Sequence, residues 1–236
     1  MNSGTLYLIP VTLGDDILAK ALPPDVVSLA QRLDTFVVEN EKTARRFLSA
    51  VKTAKPVREL TLRTLNEHTP EKDLPVLLAP LLAGQDVGLM SEAGCPGIAD
   101  PGAQLVALCH QKGVRVAPLV GPSSIVLALM ASGLDGQRFA FHGYLPSEKA
   151  ARIQKLRELE TDSRRHRQTQ IFIETPYRNS HLLEDLVANC HPKTRLCVAS
   201  SLTLDNERIL SRPVQDWKHF PLPDLHKQPA IFLLLA

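Results

Sequence analysis

Short apolar runs bounded by Gly, Pro or charge alternate with longer amphipathic stretches along the whole of this chain. The runs are too short for helices and read as strands: Thr5–Ile9, Thr35–Glu39, Asp86–Met90, Arg115–Leu119, Phe139–His142, Gln170–Glu174, Arg195–Ala199 and Ala230–Leu235. The stretches between them carry helical periodicity over Asp25–Leu33, Glu41–Lys52, Leu74–Ala83, Ala103–Lys112, Ser124–Ser132, Glu148–Glu160 and Ser180–Asn189. Asn40 is placed to cap the second of these helices, and Gly84 and Gly113 to stop the third and fourth. Strands alternating with helices pair most simply as parallel sheets with helices on their faces, an α/β class.

The 236 residues allow one large domain or two small ones, each able to bury a core. A boundary is expected near Pro118–Ser124, giving an N-terminal α/β domain over 1–118 and a C-terminal α/β domain over 119–236. The segment Ser124–Ser132 is apolar on all sides and reads as a helix buried between layers. A formal charge of +2 argues against a protein that coats nucleic acid indiscriminately, though not against a local basic patch. Cys95, Cys109, Cys190 and Cys197 show no C-x-x-C spacing, so neither a structural zinc nor a disulfide framework is expected. The apolar stretch Leu6–Leu13 is broken by Pro10 and lacks a basic leader, and no run is long enough to span a bilayer. A cytoplasmic protein with reduced cysteines and no membrane partner is the expectation.

Three loops stand where predicted strands end, the edge at which open α/β sheets bind ligands. Ser91–Gly102 is rich in Gly and Pro, which lets backbone rather than side chains approach a ligand. Gly and Pro also merely punctuate chains, so a plain strand-to-helix turn is the competing reading. Leu119–Ser124 places Ser123 and Ser124 at the start of the apolar helix, where they can cap it or help hold a carboxylate. Glu174–Asn179 carries Arg178, suited to a phosphate or carboxylate, or else to a surface ion pair with Glu184 or Asp185. Arg164–Arg167 reads as a linker run, either a solvated loop or a track for a phosphate backbone.

Familiar signatures are absent. The sequence has no G-x-x-x-x-G-K-[ST] and no G-x-G-x-x-G, which counts against an ATPase, a Rossmann dehydrogenase and a Rossmann-type methyltransferase. It has no H-E-x-x-H, and Ser123 lacks a G-x-S-x-G elbow, so metallohydrolase and serine hydrolase readings fail.

Taken together, the loops resemble the tetrapyrrole methylase superfamily of S-adenosylmethionine-dependent methyltransferases. Within it they are most similar to the ribosomal RNA small subunit methyltransferase I family, whose members methylate a ribose 2′-hydroxyl. The resemblance runs through Gly4–Pro10, Ser91–Gly102, Pro118–Leu134, Arg138–Pro146 and Ile171–Arg178. It implies two α/β domains with S-adenosylmethionine in a cleft between them, and a homodimer. Position by position it assigns the cofactor to Pro10, Leu13, Gly94, Cys95, Ile98, Ser123, Ser124, Glu174, Thr175, Ser200, Ser201, Pro229 and Ala230. Glu92 stands as a base for the hydroxyl, with a turn-capping role as its competitor. Arg178 stands as a group to steady the alkoxide or hold a phosphate.

The chain also departs from that family. Cys95 replaces the Asp of Gly-Asp-Pro, Asp15 an Asn, and Glu41–Arg45 an Asp-Thr-Arg. Pro176-Tyr177-Arg178 replaces Pro-His-Arg, Ser200–Leu204 replaces Arg-Glu-Leu-Thr-Lys, and the family's C-terminal extension is not present. The resemblance, together with the basic residues Arg45, Arg46, Arg152, Lys155, Arg157, Arg164, Arg165, Arg167 and Arg178, makes ribosomal RNA or the small ribosomal subunit the expected partner, while these departures bear on the acceptor side. A tetrapyrrole or other small-molecule acceptor, and a non-catalytic cofactor-binding protein, remain the alternatives.

Overall fold

The computed structural model describes residues 3–14 and 17–236, so Asp15 lies outside the described residues. The chain divides into two compact units, Met1–Ser123 and Ser124–Ala236. In the first, β1 (Thr5–Leu8), β2 (Thr35–Val38), β3 (Thr61–Thr64), β4 (Val87–Met90) and β5 (Arg115–Pro118) form one sheet in the order β3-β2-β4-β1-β5. Every pairing in it is parallel.

Helices cover both faces of this sheet. α2 (Pro24–Arg32) and α3 (Glu41–Val51) pack on one face, with the short α1 (Leu18–Ala21) beside them. α4 (Leu74–Leu82) and α5 (Ala103–Gln111) pack on the other. β2 shows why a continuous apolar run is needed: Phe36 and Val38 join the first layer while Val37 joins the second. The Asn40 side chain accepts from the amides of Lys42 (2.9 Å) and Thr43 (3.4 Å), as expected of a cap. Gly84 and Gly113 follow α4 and α5 with left-handed backbone.

Strands β1 and β2 send the chain toward the β3 edge, whereas β3 and β4 send it toward the β5 edge. With right-handed crossovers these excursions use opposite faces, so the loops after β1 and after β4 diverge from neighbouring strands. Divergence of this kind opens a crevice at the carboxyl ends of a doubly wound sheet.

The second unit holds α6 (Ser124–Ser132), β6 (Phe139–Tyr144), α7 (Lys149–His166), β7 (Thr169–Ile173), α8 (Asn179–Asn189), β8 (Arg195–Ser200), β9 (Arg208–Pro213), α9 (Val214–Trp217) and β10 (Ala230–Leu235). Its sheet runs β6-β7-β10-β8-β9 and is mixed: β6 and β7 are parallel, and the remaining pairings are antiparallel. The last apolar run of the chain becomes the central strand, and Phe232 stacks 6.1 Å from Phe172. Leucines of α7 and α8 close one core against it.

Several expectations change here. β3 and β9 were not anticipated, because each is an edge strand that is partly exposed and carries charge. α7 continues from 160 to His166, so Arg164 and Arg165 lie on its last turn rather than in a linker, where cations suit the helix dipole. α6 is not buried all round: Ala128 and Leu129 are covered, while Val126 and Met130 are exposed.

Candidate functional site

At the carboxyl edge of the first sheet, the loop after β1 is stitched to the loop after β4. Val11 N donates to Gly94 O at 2.8 Å, and Gly94 N returns the bond to Val11 O at 3.0 Å. Gly94 has φ +75°, a backbone conformation that side-chain-bearing residues rarely adopt. The loop after β5 closes on the same place. A Cβ on Gly121 would lie 2.2 Å from the Pro10 ring, so only glycine allows that approach. The Cys95 thiol reaches the Pro122 carbonyl at 3.4 Å, and burial raises its pKa, keeping it a protonated donor.

Pro10, Leu13, Gly94, Cys95 and Ser123 are thereby gathered from three loops, and Ile98 stands exposed on the second. The gathering brings backbone and small groups together rather than catalytic side chains. Such a cradle fits a ligand held largely by main-chain contacts.

Next to it lies an acidic group. Glu39, at the end of β2, accepts the Glu92 amide at 3.1 Å, and Glu92 accepts the Thr43 hydroxyl at 3.3 Å. Burial raises the Glu39 pKa. Asp100 is pushed up to about 6, first by burial and then by the charge of Glu39; the Ser91 hydroxyl opposes the shift and Glu92 adds to it. Glu92 itself is exposed, and its side chain ties the β4 loop to the first turn of α3.

A cavity of about 660 Å³ opens beside this group. The β1 loop, α1, α3 and the Glu92–Ala93 turn line it. Sequence reasoning missed its α3 wall. The signal was present: Thr43, Arg46, Phe47 and Ala50 follow i, i+3, i+4, i+7 spacing and share one helical face.

The second unit has its own loop edge, where β7 and β8 end and β10 begins. Ala230 pairs with Ser200, Ile231 pairs with Ile173 next to Glu174, and Ser201 N donates to Pro229 O at 3.0 Å. This collects Glu174, Thr175, Ser200, Ser201, Pro229 and Ala230 on one edge. The two serine hydroxyls are used internally, with Ser200 donating to Arg208 O and Ser201 accepting from Asn206. Ser124 is the first residue of α6.

Arg178 pairs with the buried Glu174 at 2.6 Å. The ion pair considered with Glu184 or Asp185 does not form: Asp185 is held by buried Arg152 at 2.7 Å, and Glu184 faces His181. Glu174 Oε2, Arg178 Nε and Asn179 Oδ1 are buried without partners among the described residues. Arg164–Arg167 lies at the amino end of β7, the end opposite Glu174.

The model of the tetrapyrrole (corrin/porphyrin) methylases matches residues 5–217. The chain belongs to this family. As a tetrapyrrole methylase family member it is a methyltransferase. It is 34% identical over 235 residues to the Ribosomal RNA small subunit methyltransferase I of Vibrio cholerae, covering 98% of this chain and 76% of that protein. The protein of the same name from Escherichia coli O157:H7 is also 34% identical, over 237 residues, covering 100% and 78%. Among solved structures, the methyltransferase CobJ superposes with a TM-score of 0.64 at 18% identity, covering 99% of this chain and 94% of that one. That last likeness is one of fold. Among the described residues, no helix is long and apolar enough to cross a membrane.

Proposed function

We propose that the protein is an S-adenosylmethionine-dependent methyltransferase of ribosomal RNA, acting in the cytoplasm on a ribose 2′-hydroxyl. The carrying observation is the three-loop cradle at the carboxyl edge of the first sheet, in a chain that is similar along nearly its whole length to proteins bearing the ribosomal RNA name. Gly94, Cys95, Ile98, Pro10, Leu13 and Ser123 would hold the cofactor there. In the second unit, Ser124 and the edge formed by Glu174, Thr175, Ser200, Ser201, Pro229 and Ala230 are the remaining residues that the family resemblance assigns to the cofactor.

S-adenosylmethionine, when bound, supplies a methyl group already activated on sulfur. The chain then has to orient a hydroxyl, exclude water and take up a proton. Glu92 is the proposed base, since it is exposed at the crevice and its carboxylate lies 3.3 Å from the Thr43 hydroxyl, which it shares with Asn40 O at 3.1 Å. Glu39 fixes the Glu92 backbone, and so positions that carboxylate. Arg178 is the proposed cation for an alkoxide or phosphate, its guanidinium preset by Glu174.

The test is calorimetric titration with S-adenosylmethionine, paired with transfer of labelled methyl into small-subunit RNA. Ser123→Phe should abolish cofactor binding while leaving the fold intact by circular dichroism. Unchanged affinity in that variant would remove the cofactor from this cradle. Labelling of a tetrapyrrole precursor instead of RNA would favour the small-molecule alternative, and binding without turnover on any acceptor would favour a sensor.

We also propose a homodimer, supported by the uncovered Val126 and Met130 on α6 and by exposed Phe139 and Tyr144 on β6. Sedimentation at micromolar concentration should give twice the chain mass; a monomer would reject it.

A further inference from the structure

Several arginines of the second unit are engaged by the fold. Arg152 and Arg178 are held by buried carboxylates, Arg195 donates to Gly133 O at 2.6 Å, and Arg212 lies over the Trp217 and Phe220 rings. Arg138, Arg157, Arg164, Arg165 and Arg167 differ. All five are exposed, and among the described residues none of their guanidinium groups has an ion pair or a hydrogen bond. Arg208 is likewise unpaired but stands at the other edge of the sheet, in register with Ser200.

Two segments bring the five to the amino end of β7. Thr169 N donates to Arg138 O at 2.8 Å, and Phe139 is in register with Thr169, so Arg138 lies beside the residues that follow Arg167. Arg164 and Arg165 stand on the last turn of α7, and Arg167 is its C-cap. Arg157 precedes Arg164 by seven residues, on the same helical face and about 10.5 Å back along the axis. The neighbouring carboxylates are occupied: Asp135 accepts the amides of Gln137 and Arg138, Glu158 accepts from Gln154 and Lys155, and Glu160 accepts the His191 amide and the Thr194 hydroxyl. Asp162 is the remaining acid of α7.

Helix stability does not account for this group. The dipole of α7 is served by cations within its last turn, which leaves Arg138, Arg157 and Arg167 unexplained. Like charges that find no acceptor in the fold repel one another, and an external polyanion relieves that repulsion. Arginine suits phosphate in particular, since its planar fork donates two parallel hydrogen bonds.

We infer that the amino end of the second sheet is an anchoring surface for the phosphate backbone of RNA, contacting nucleotides that flank the one methylated. The length of β7, five residues or about 17 Å, separates this surface from the Glu174 edge. The inference rests on the methyltransferase reading above for the identity of the polyanion, and adds a place in the chain where RNA is held away from the chemistry.

The experiment uses the full chain and measures two affinities for each variant: S-adenosylmethionine by calorimetry, and a single-stranded fragment of small-subunit RNA by fluorescence anisotropy across a salt series. Replacing Arg164, Arg165 and Arg167 together by Gln should weaken RNA binding at least about tenfold and lower the slope of log affinity against log salt by about 2, the release from three single-strand phosphates. Cofactor affinity should stay at the wild-type value, and Lys at the three positions should restore most of the slope. A charge-matched variant of the first unit, with exposed Arg58, Lys112 and Arg115 replaced by Gln, should bind RNA nearly as the wild type does. Arg167→Gly separates contact from stability. Arg167 has φ +50°, a conformation glycine adopts more readily, so this variant should melt no lower than the wild type and still bind RNA more weakly. Lys52→Gly, at the end of α3 with φ +61°, is the matched control and should leave RNA affinity unchanged.

Equal losses in the two Gln triple variants overturn the assignment, because net charge alone would then explain binding. Wild-type RNA affinity in the Arg164, Arg165 and Arg167 variant overturns it too, and either result leaves the methyltransferase reading intact. Polyglutamate that binds the wild type as tightly as RNA, and is lost equally in that variant, overturns it in favour of an acidic protein partner. A wild type that binds no RNA and passes labelled methyl to a tetrapyrrole instead removes the reading on which the assignment rests.

Discussion

Replacing Gly121 by alanine tests the central geometric claim, that three loops are pressed together at one sheet edge. The added Cβ would lie 2.2 Å from Pro10 Cγ, 2.3 Å from Pro10 Cβ and 3.3 Å from a Leu22 methyl. Carbon atoms rest at about 3.5–4.0 Å, so a gap of more than about 1 Å must be opened. The proline ring is rigid and cannot turn aside. Ile9 before it is fully buried, and Val11 after it is bonded to Gly94, so the strain passes into the backbone of the cradle. Overpacking of this kind costs about 1–3 kcal/mol. For a chain of this length each kcal/mol lowers the melting temperature by roughly 2–4 °C. Gly136→Ala is the control: a Cβ there meets nothing within 4 Å and the backbone is not left-handed, so it should be neutral or slightly stabilising. Thermal denaturation followed by circular dichroism, with S-adenosylmethionine calorimetry on both variants, gives the comparison. Gly121→Ala should melt lower and bind the cofactor more weakly. Equal melting temperatures and equal affinities would show that the β1 and β5 loops are not locked against each other.

Two further outcomes follow from buried and half-buried charge. Arg152→Ala removes both guanidinium bonds to buried Asp185 and leaves it to the exposed Lys149 ammonium at 3.7 Å, so it should cost up to about 3–5 kcal/mol in urea denaturation, whereas replacing both residues by Met and Leu should recover most of the loss; equal losses in the single and double variants would contradict a poorly compensated buried charge as the cause. Asp100 has its folded pKa raised from 3.8 to about 6, so its ionisation opposes folding: stability from this group is complete below about pH 4 and declines as pH rises through 6. Asp100→Asn should therefore shift the urea midpoint upward more at pH 7 than at pH 4, and an equal shift at both would refute the raised pKa.

What the chain determined by itself was everything that rests on local pattern. Runs such as Thr35–Val38 and Ala230–Leu235 are buried on both faces and so are apolar without interruption, which makes them legible as strands. Asn40, Gly84 and Gly113 act within a few residues of themselves, and each did what its chemistry suggests. The Ser91–Gly102 loop stood out because close backbone approach requires its composition. Tertiary structure alone decided which distant residues meet. β3 and β9 gain their hydrogen bonds from one neighbour and keep a wet side, so they carry no apolar run to betray them. That Arg178 turns to Glu174, that Asp185 meets Arg152, and that Thr43 reaches Glu92 across 49 positions are outcomes of packing, since a charge or hydroxyl can choose among many partners until the fold leaves only the few within reach. The cavity is of the same kind: its α3 wall is an ordinary helical face in the sequence, and it becomes a cavity only because the β1 loop, α1 and the Glu92–Ala93 turn are brought against it.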